Sequence, residues 1–458
     1  MAQVLFDTML ARIVRLGVLE VVHADGRVAK FGLPAPGFGQ VRIRLTRPGV
    51  TTRILRDPRL GAGEAYIDGD LVIEHGDVMD LVHLLRANRP WEAGAKIHEP
   101  PRWRKLLKQA LATADQVNAR ARSKANVAHH YDIGNDLYAL MLDGEHMQYS
   151  CAYWARDDMT LAEAQEAKLA HIAAKLALQP GQTVLDIGCG WGGMAIYLAK
   201  HFDVTVTAIT LSEEQFALAR PRSEAAGVSD RVTFELIDYR DLPASGRRFD
   251  RIVSVGMFEH VGRPQFDTFF RTCAQLLSED GVMLLHTIGR FGGPGSTDAF
   301  TRKYVFPGGY IPALSETVAA SEKVRLIASD VETLRLHYAR TLRAWYANCM
   351  THQAAIEALY DAKFFRMWTF YLAGATAAFE SGGMGNYQIQ YTRDRHALPL
   401  VRGYMGEVER GLMESRPEYR KTVTHDPNGD PRYVFVKTTD PGREITITTQ
   451  LFDLPTAE

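Results

Sequence analysis

One short glycine-rich segment, Thr183–Gly193, constrains the fold of this chain more than any other part of its 458 residues. It reads Thr-Val-Leu-Asp-Ile-Gly-Cys-Gly-Trp-Gly-Gly, so an apolar run ends abruptly in glycines. The stretch that follows, Met194–Lys200, has the character of a helix. This order predicts a strand, a tight turn and a helix start, where the backbone can approach a ligand closely. We therefore expect a nucleotide-like cofactor at the tip of a parallel sheet.

The spacing of the glycines separates two kinds of cofactor site. A nicotinamide or flavin site needs G-x-G-x-x-G and an acidic residue at the end of the second strand. Here the second predicted strand, 204–210, ends in Thr210, and Asp186, Gly188 and Gly190 form a D-x-G-x-G pattern. That pattern resembles the first motif of S-adenosylmethionine-dependent methyltransferases. Because this cofactor carries a cationic sulfonium and an amino-acid tail, a carboxylate at the turn suits it. An unliganded structural turn is the less favoured alternative.

Composition limits the remaining possibilities. Hydrophobic residues make up 46% and charged residues 23% of the chain, as in ordinary globular proteins, and the formal net charge is −1. No basic field therefore draws the whole chain to nucleic acid. No apolar run is long enough to span a bilayer, and the N-terminus lacks the order of a signal peptide. None of the four cysteines is in CxxC spacing, so we expect a reduced cytoplasmic protein without a metal site.

The sequence pattern divides the chain into four parts. Residues 1–100 combine a short amphipathic helix at 4–13, short antiparallel strands at 19–24 and 41–45, and a helix at 77–86, which predicts a small α+β domain. Residues 126–400 alternate strands and helices, as a parallel sheet covered on both faces requires. A helix break or kink is expected at Pro221. The tail, 401–458, has a strand pair around Asp440. The strands of the main domain are predicted at 183–188, 204–210, 232–238, 249–256 and 281–288.

The connector, residues 101–125, differs in charge from both its neighbours. It holds seven basic residues and one acidic residue, Asp115. A solvated linker helix is the simpler interpretation. The functional interpretation is a basic amphipathic surface that touches anionic lipid headgroups, with Trp103 at the interface.

Further motifs identify a family. Ala128–Tyr138 (AHHYDIGNDLY) and Met147–Trp154 (MQYSCAYW) precede the sheet, and VGMFEHVG, LLHTIG, KYVFPGGY and HYARTLRAWY follow at 255, 284, 303 and 337. Over residues 60 to 392 the chain closely resembles the bacterial cyclopropane-fatty-acyl-phospholipid synthases and, more distantly, the mycolic acid cyclopropane synthases. The resemblance implies a class I methyltransferase fold, Rossmann-like with a mostly parallel seven-stranded sheet. It also implies transfer of a methylene group from S-adenosylmethionine to the cis double bond of a phospholipid acyl chain.

The resemblance also implies the base that closes the ring, a bound bicarbonate ion. The side chains of Glu259, His286 and Tyr338 and the backbone amides of Cys151 and Ile288 would hold it. Glu259 can accept a hydrogen bond from the bicarbonate hydroxyl, while the others donate to its oxygens. Taken alone, Glu259 could equally be a carboxylate at a helix start and His286 a hydrogen-bonded core histidine. His260 is left without a role, because it points elsewhere if its segment is extended.

For the cofactor, the same resemblance implies nine residues. The methionyl moiety would lie near Tyr131 and Asp132. Asp186, Gly188 and Gly190 form the turn. Thr210 and Gln215 would reach the ribose, and Asp238 and Tyr239 would flank the adenine.

Three functions remain to be separated. A cyclopropane synthase needs the bicarbonate site, and every position of that site is present. A related enzyme could instead end in a branched, methylated or unsaturated chain, and a cofactor-binding protein without turnover is the third possibility. A nucleic-acid methyltransferase is disfavoured by the near-neutral net charge.

We expect a homodimer in the cytoplasm, peripheral to the inner face of the membrane, with phospholipid acyl chains as partners.

Overall fold

The computed structural model describes residues 2–94 and 134–414, together with three strands between residues 418 and 448. Two sheets organise the first two ranges: a four-stranded sheet near the N-terminus and a seven-stranded sheet that follows it. The basic connector, 101–125, lies outside the described residues.

The N-terminal sheet has the strand order β2-β1-β3-β4. Its elements are α1 (Ala2–Ile13), β1 (Val18–Val22), β2 (Val28–Phe31), β3 (Gln40–Leu45), α2 (Gly49–Arg56), α3 (Pro58–Ile67), β4 (Leu71–His75) and α4 (Val78–Ala87). The predicted helices and strands are present, but β1 and β3 are parallel, so the antiparallel expectation is wrong for this pair. The reason is that β2 pairs with β1 as a hairpin, and the connection 32–39 then returns the chain to the other side of β1.

The seven-stranded sheet has the order β10-β11-β9-β8-β5-β6-β7, in which only β11 runs against the others. Its strands are β5 (Gln182–Ile187), β6 (Val204–Thr210), β7 (Val232–Leu236), β8 (Phe249–Val255), β9 (Leu277–Arg290), β10 (Ile327–Leu334) and β11 (Met384–Thr392). The five predicted strands are all present. The mostly parallel seven-stranded sheet confirms the predicted fold class, and helices cover it.

Eleven α-helices accompany this sheet in the described residues from 134 to 414. They are α5 (Asn135–Met141), α6 (Leu161–Leu176), α7 (Gly193–His201), α8 (Glu213–Ala225), α9 (Phe266–Leu276), α10 (Ala299–Tyr304), α11 (Leu314–Glu322), α12 (His337–Thr351), α13 (Gln353–Leu359), α14 (Ala362–Glu380) and α15 (Gly403–Glu414). Helix α8 continues through Pro221, so the expected helix break does not occur there. A proline removes one backbone donor from a helix, and the buried side chains of Ala219 and Ser223 on either side keep this helix packed.

The topology of the large sheet fixes where a ligand can bind. From β5 the chain proceeds outward through β6 to β7 and then returns to β8 on the other side of β5. The connections therefore diverge at the carboxyl ends of β5 and β8, which leaves a crevice there.

The N-terminal part packs against the helices of the large sheet. Gly63 of α3 faces the rings of Phe300 and Phe370, which a side chain at this position would meet. Lys303 of α10 forms an ion pair with Glu64 at 2.6 Å. The domain boundaries at 100, 125 and 400 stay predictions.

The tail contains the predicted strand pair as part of a three-stranded sheet. Strand β13 (Pro431–Asp440) pairs antiparallel with β14 (Arg443–Thr448) and with β12 (Glu418–His425), which the pattern did not indicate. Within the described residues, no helix is both long and apolar enough to cross a bilayer.

Candidate functional site

A pocket lies at the carboxyl ends of β5, β6, β7 and β8, where the topology predicts it. Seven of the nine residues predicted to bind the cofactor line this pocket: Asp186, Gly188, Gly190, Thr210, Gln215, Asp238 and Tyr239. The other two, Tyr131 and Asp132, lie outside the described residues. The structure thus brings together residues that are up to 53 positions apart in the chain, Asp186 and Tyr239 being the extremes.

The turn after β5 requires glycine for two reasons. Gly188 and Gly190 have φ angles of +83° and +56°, a region that other residues rarely adopt. A Cβ atom at Gly188 would also lie 2.7 Å from the side chain of Met257. The amides of Gly188 and Cys189 both donate to the carbonyl oxygen of Ile209 at 3.0 Å, which ties the turn to β6.

Asp186 contributes a buried carboxyl group to the pocket. Its side chain is buried, and its Oδ2 atom has no hydrogen-bond partner among the described residues. Burial raises the pKa of Asp186 to about 7, although the nearby Lys168 ammonium acts in the opposite direction. A buried carboxylate with an unused oxygen fits a ligand that brings a positive charge, as S-adenosylmethionine does.

The end of β6 presents polar groups rather than an acidic residue. Thr210 Oγ1 donates to Gln215 Oε1 at 3.0 Å, and the amide of Ser212 donates to Thr210 Oγ1 at 3.1 Å. Because the oxygen of Gln215 is occupied, its NH2 group is the part that can donate to a ligand. Ser212 in turn caps helix α8 by accepting from the amide of Gln215. The predicted pair therefore forms one hydrogen-bonded unit in the pocket wall.

Asp238 and Tyr239 follow β7 and begin a 3-10 helix, Tyr239–Ser245. Asp238 forms an ion pair with Arg240, whose Nη2 lies 2.6 Å from Oδ2. The ring of Tyr239 packs edge-on against Phe269, with 5.5 Å between ring centroids. Both side chains are thus fixed by neighbours in the wall of the pocket.

Sequence reasoning missed one wall of the pocket, which is formed by Gln148 and Ser150. Lys168 of α6 holds this wall, since its ammonium contacts Gln148 Oε1 and lies 3.1 Å from Ser150 Oγ. Lys168 is completely buried, which lowers its pKa to about 7, with Asp143 opposing the shift. The sequence signal that could have indicated this role is a lysine in the middle of an alanine-rich helix.

His260 is a second missed residue. Its segment, Phe258–His260, is a 3-10 helix rather than extended, and His260 consequently lines the pocket. Burial lowers the pKa of His260 to about 4, so the ring is neutral at physiological pH. Its ring packs edge-on against Phe306.

Glu259 does not line the pocket, although it lies in the chain between the pocket-lining residues Met257 and His260. Its Oε1 atom accepts a hydrogen bond of 2.6 Å from the backbone amide of Ile288. Its Oε2 atom is buried and has no hydrogen-bond partner in the part of the chain that the structure describes. Burial raises the pKa of Glu259 to about 7, while the Ile288 amide partly offsets this. The carboxyl group therefore reaches across to β9 and is not a simple helix cap.

His286 is fully buried on β9 and faces two amide side chains of β11. Asn386 lies 2.7 Å from Nε2 and Gln388 lies 3.1 Å from Nδ1. Burial lowers the pKa of His286 well below its usual value, so the ring is neutral. Its neighbours are those of a hydrogen-bonded core histidine, and its role as an anion ligand stays a prediction.

The other three predicted catalytic residues meet at one apolar cluster, since Cys151 and Tyr338 belong to it and Ile288 packs against it. An aromatic row connects this cluster to the pocket. Tyr149 lines the pocket and lies 5.1 Å from the ring of Trp345, which is 5.7 Å from the ring of Tyr338. The cofactor pocket and the predicted catalytic residues are therefore neighbours in the folded chain.

Known proteins resemble this chain over most of its length. The family model "Mycolic acid cyclopropane synthetase" matches residues 118–389. Cyclopropane-fatty-acyl-phospholipid synthase of Escherichia coli (strain K12) is 38% identical over 370 residues, which cover 81% of this chain and 92% of that protein. A probable fatty acid methyltransferase of Pseudomonas putida is 37% identical over 388 residues, covering 82% and 93%.

Solved structures agree with the sequence comparison. The cyclopropane synthase MmaA2 from Mycobacterium tuberculosis is 32% identical, with a TM-score of 0.55, and the match covers 58% of this chain and 97% of that one. Mycolic acid cyclopropane synthase CmaA1, complexed with SAH and CTAB, is 34% identical, with the same TM-score and 58% and 97% coverage. The resemblance that the motifs predicted is confirmed. With its methyltransferase fold and a pocket suited to S-adenosylmethionine, the chain belongs to the mycolic acid cyclopropane synthetase family.

Proposed function

We propose that this protein is a cyclopropane-fatty-acyl-phospholipid synthase, which adds a methylene bridge across the cis double bond of a phospholipid acyl chain. The observation that carries the proposal is that Tyr149 belongs both to the cofactor pocket and to an aromatic row. This side chain lines the cofactor pocket and also begins the buried aromatic row that leads to Tyr338. An apolar, aromatic acceptor site beside a donor pocket suits an alkene and not a polar acceptor.

Chemistry at this site needs a closed surrounding. When bound, S-adenosylmethionine supplies an electrophilic methyl group, and the alkene must be held within about 3–3.5 Å of it. Methyl transfer leaves a positive charge on the acyl chain, which water would quench. The faces of Tyr149, Trp345 and Tyr338 can stabilise such a charge without reacting with it. Trp345 and Tyr338 are buried and Tyr149 is partly buried, which supports their role in excluding water.

Ring closure needs a base beside the acyl chain. We infer that Glu259, His286, Tyr338 and the amides of Cys151 and Ile288 hold a bicarbonate ion that accepts the proton. The unpartnered Oε2 of Glu259, in a buried polar position, supports an additional hydrogen-bonding group there. A pKa near 7 suits Glu259 to share a proton with such a group. In the structure described here the Ile288 amide donates to Glu259 itself, so it would have to be shared with the ion.

A methylated product without a ring is the second candidate, because the relative from Pseudomonas putida is named a probable fatty acid methyltransferase. Lipid mass spectrometry decides between the two. The chain is expressed in a bacterium that lacks such an enzyme, and unsaturated acyl chains should gain the mass of one CH2 group. Fragmentation should show a ring. A methylated alkene in its place would contradict the proposal, and the Glu259→Gln variant in the same host controls for background activity.

We also propose that the protein acts at the membrane surface as a homodimer. The described part of the N-terminal region exposes apolar side chains such as Leu5 and Leu33, which supports contact with lipid.

The basic connector gives a prediction for vesicle binding. Residues 101–125 carry seven basic residues and one acidic residue, so binding to anionic vesicles should weaken as salt rises. Flotation with anionic and zwitterionic vesicles over a salt series measures this. Replacing Arg120, Arg122 and Lys124 by glutamine should reduce the binding and its salt dependence. Binding to anionic vesicles that does not change with salt would rule out this role of the connector.

A further inference from the structure

Helix α6 carries a polar stripe that the proposed chemistry does not yet use. All its residues from Ala164 to Leu176 are buried, yet besides Glu166 four of them are polar: Gln165, Lys168, His171 and Lys175. They are three, three and four positions apart, so they lie on one face of the helix. Burying polar groups costs free energy unless they are hydrogen-bonded, and each of the four is bonded to groups outside the helix. Such a stripe is a built network and not a chance arrangement.

The last member, Lys175, determines how Gln388 is oriented. Its ammonium forms an ion pair with Glu332 and lies 2.7 Å from Gln388 Oε1. An ammonium can only donate, so Gln388 must present its oxygen to Lys175. The NH2 group of Gln388 then faces His286, 3.1 Å from Nδ1.

This orientation fixes the tautomer of His286. A neutral imidazole accepts at one nitrogen and donates from the other, and Nδ1 must accept from Gln388. The proton is therefore on Nε2, which faces the amide of Asn386 at 2.7 Å. The atom at this distance is the amide nitrogen Nδ2, and two donors cannot share one contact. The amide of Asn386 must therefore be turned so that Oδ1 accepts, an atom that has no hydrogen-bond partner in residues 2–94 and 134–414. His286 is thus a donor at Nε2, and a bound anion would take the place of Asn386 as the acceptor of that proton.

The C-terminal helix completes the network around Lys175. Both ring nitrogens of His171 face carboxylates, Glu332 at 2.6 Å and Glu409 of α15 at 3.0 Å. Burial acts to lower the pKa of His171, but these two hydrogen bonds raise it overall. The cluster of Lys175, His171, Glu332 and Glu409 then has two positive and two negative charges. Helix α15 lies beyond residues 118–389, which the family model matches.

We propose that Lys175 and Gln388 are positioning residues that hold His286 as an Nε2–H donor, and that helix α15 completes the charge cluster that anchors Lys175. This inference rests on the proposed function, in which His286 donates to the anion. It also assigns a role to helix α15, which lies in the tail for which the motifs indicated no function.

The test measures the tautomer of His286 directly. In the full chain labelled with 15N-histidine, the His286 signals are identified by their loss in His286→Gln. The wild type should show Nδ1 without a proton and Nε2 with one. Lys175→Met and Gln388→Met should each give a mixture of tautomers. Gln388→Met removes the donor to His286 while leaving the Lys175–Glu332 ion pair in place. It therefore tests the proposal even if Lys175→Met does not fold.

Activity gives the second readout. Bicarbonate-depleted enzyme is titrated with bicarbonate, and both variants should need about tenfold more for half-maximal activity, with unchanged affinity for the cofactor. Glu409→Gln should cause a smaller shift, and Glu407→Gln, on an exposed position of the same helix, should cause none.

The two hypotheses fail in different ways. If the wild type shows no response to bicarbonate, the base in the proposed function is wrong, and the 15N spectra still decide the positioning role. If folded Lys175→Met and Gln388→Met keep the wild-type tautomer, the positioning role is overturned even where bicarbonate dependence holds. If Glu409→Gln behaves as Glu407→Gln does, the contribution of α15 is refuted.

Discussion

Replacing Glu259 by glutamine should lower turnover by about 10²–10⁴-fold while leaving cofactor affinity nearly unchanged. Glutamine keeps the size of the side chain and an oxygen that can accept from the Ile288 amide. It cannot share a proton with a bound anion, because an amide does not titrate. Glu259 does not line the cofactor pocket, so binding of S-adenosylhomocysteine should be spared. Single-turnover product formation and calorimetric binding measure the two effects.

A matched control for this variant is Glu235→Gln, which removes a carboxylate that pairs with Arg247 near the end of β7. Its turnover should stay close to that of the wild type. Turnover of Glu259→Gln within a few-fold of this control would contradict the assigned role. A parallel loss of cofactor binding would instead indicate a structural role for the carboxyl group.

Replacing Asp186 by asparagine should weaken cofactor binding by about 30- to 1,000-fold, the range for losing one member of a buried charge pair. The carboxylate is buried and its Oδ2 atom has no partner in the described residues, so its charge is available to a cationic ligand. Asp280→Asn, at an exposed position near the start of β9, is the control and should bind normally. Equal affinity of both variants would show that Asp186 does not provide the attraction.

The same residue predicts how binding depends on pH. With a pKa of about 7, Asp186 is largely protonated at pH 6 and largely ionised at pH 8. Only the ionised form attracts a cation, so wild-type affinity should fall as pH falls from 8 to 6. The Asp186→Asn variant has no carboxyl group to titrate, and its affinity should change much less over this range. Calorimetry at both pH values tests this, and an equal pH dependence in both proteins would assign the titration to another group.

Local sequence patterns predicted much of the fold and the cofactor pocket. Five of the seven strands of the main domain could be read from apolar runs that end in polar or glycine residues, because buried parallel strands need such runs. The D-x-G-x-G turn predicted the pocket, since its glycines adopt φ angles that other residues avoid. Patterns of this kind are short, so they do not depend on distant parts of the chain. The antiparallel arrangement of β1 and β3 was predicted wrongly, and the helix does not break at Pro221, because strand order and packing decided these features.

The amino-acid sequence by itself determined the strand–helix order, the glycine turn, the position of Asp186 and the family. Only the tertiary structure decided which groups Glu259, His286 and Lys168 contact. Glu259 meets the amide of Ile288, 29 positions away, and His286 meets Gln388, 102 positions away. Hydrogen bonds between distant segments depend on strand order and helix packing, which no local pattern records. The environment that raises the pKa of Glu259 to about 7 is likewise produced by burial, a property of the folded chain.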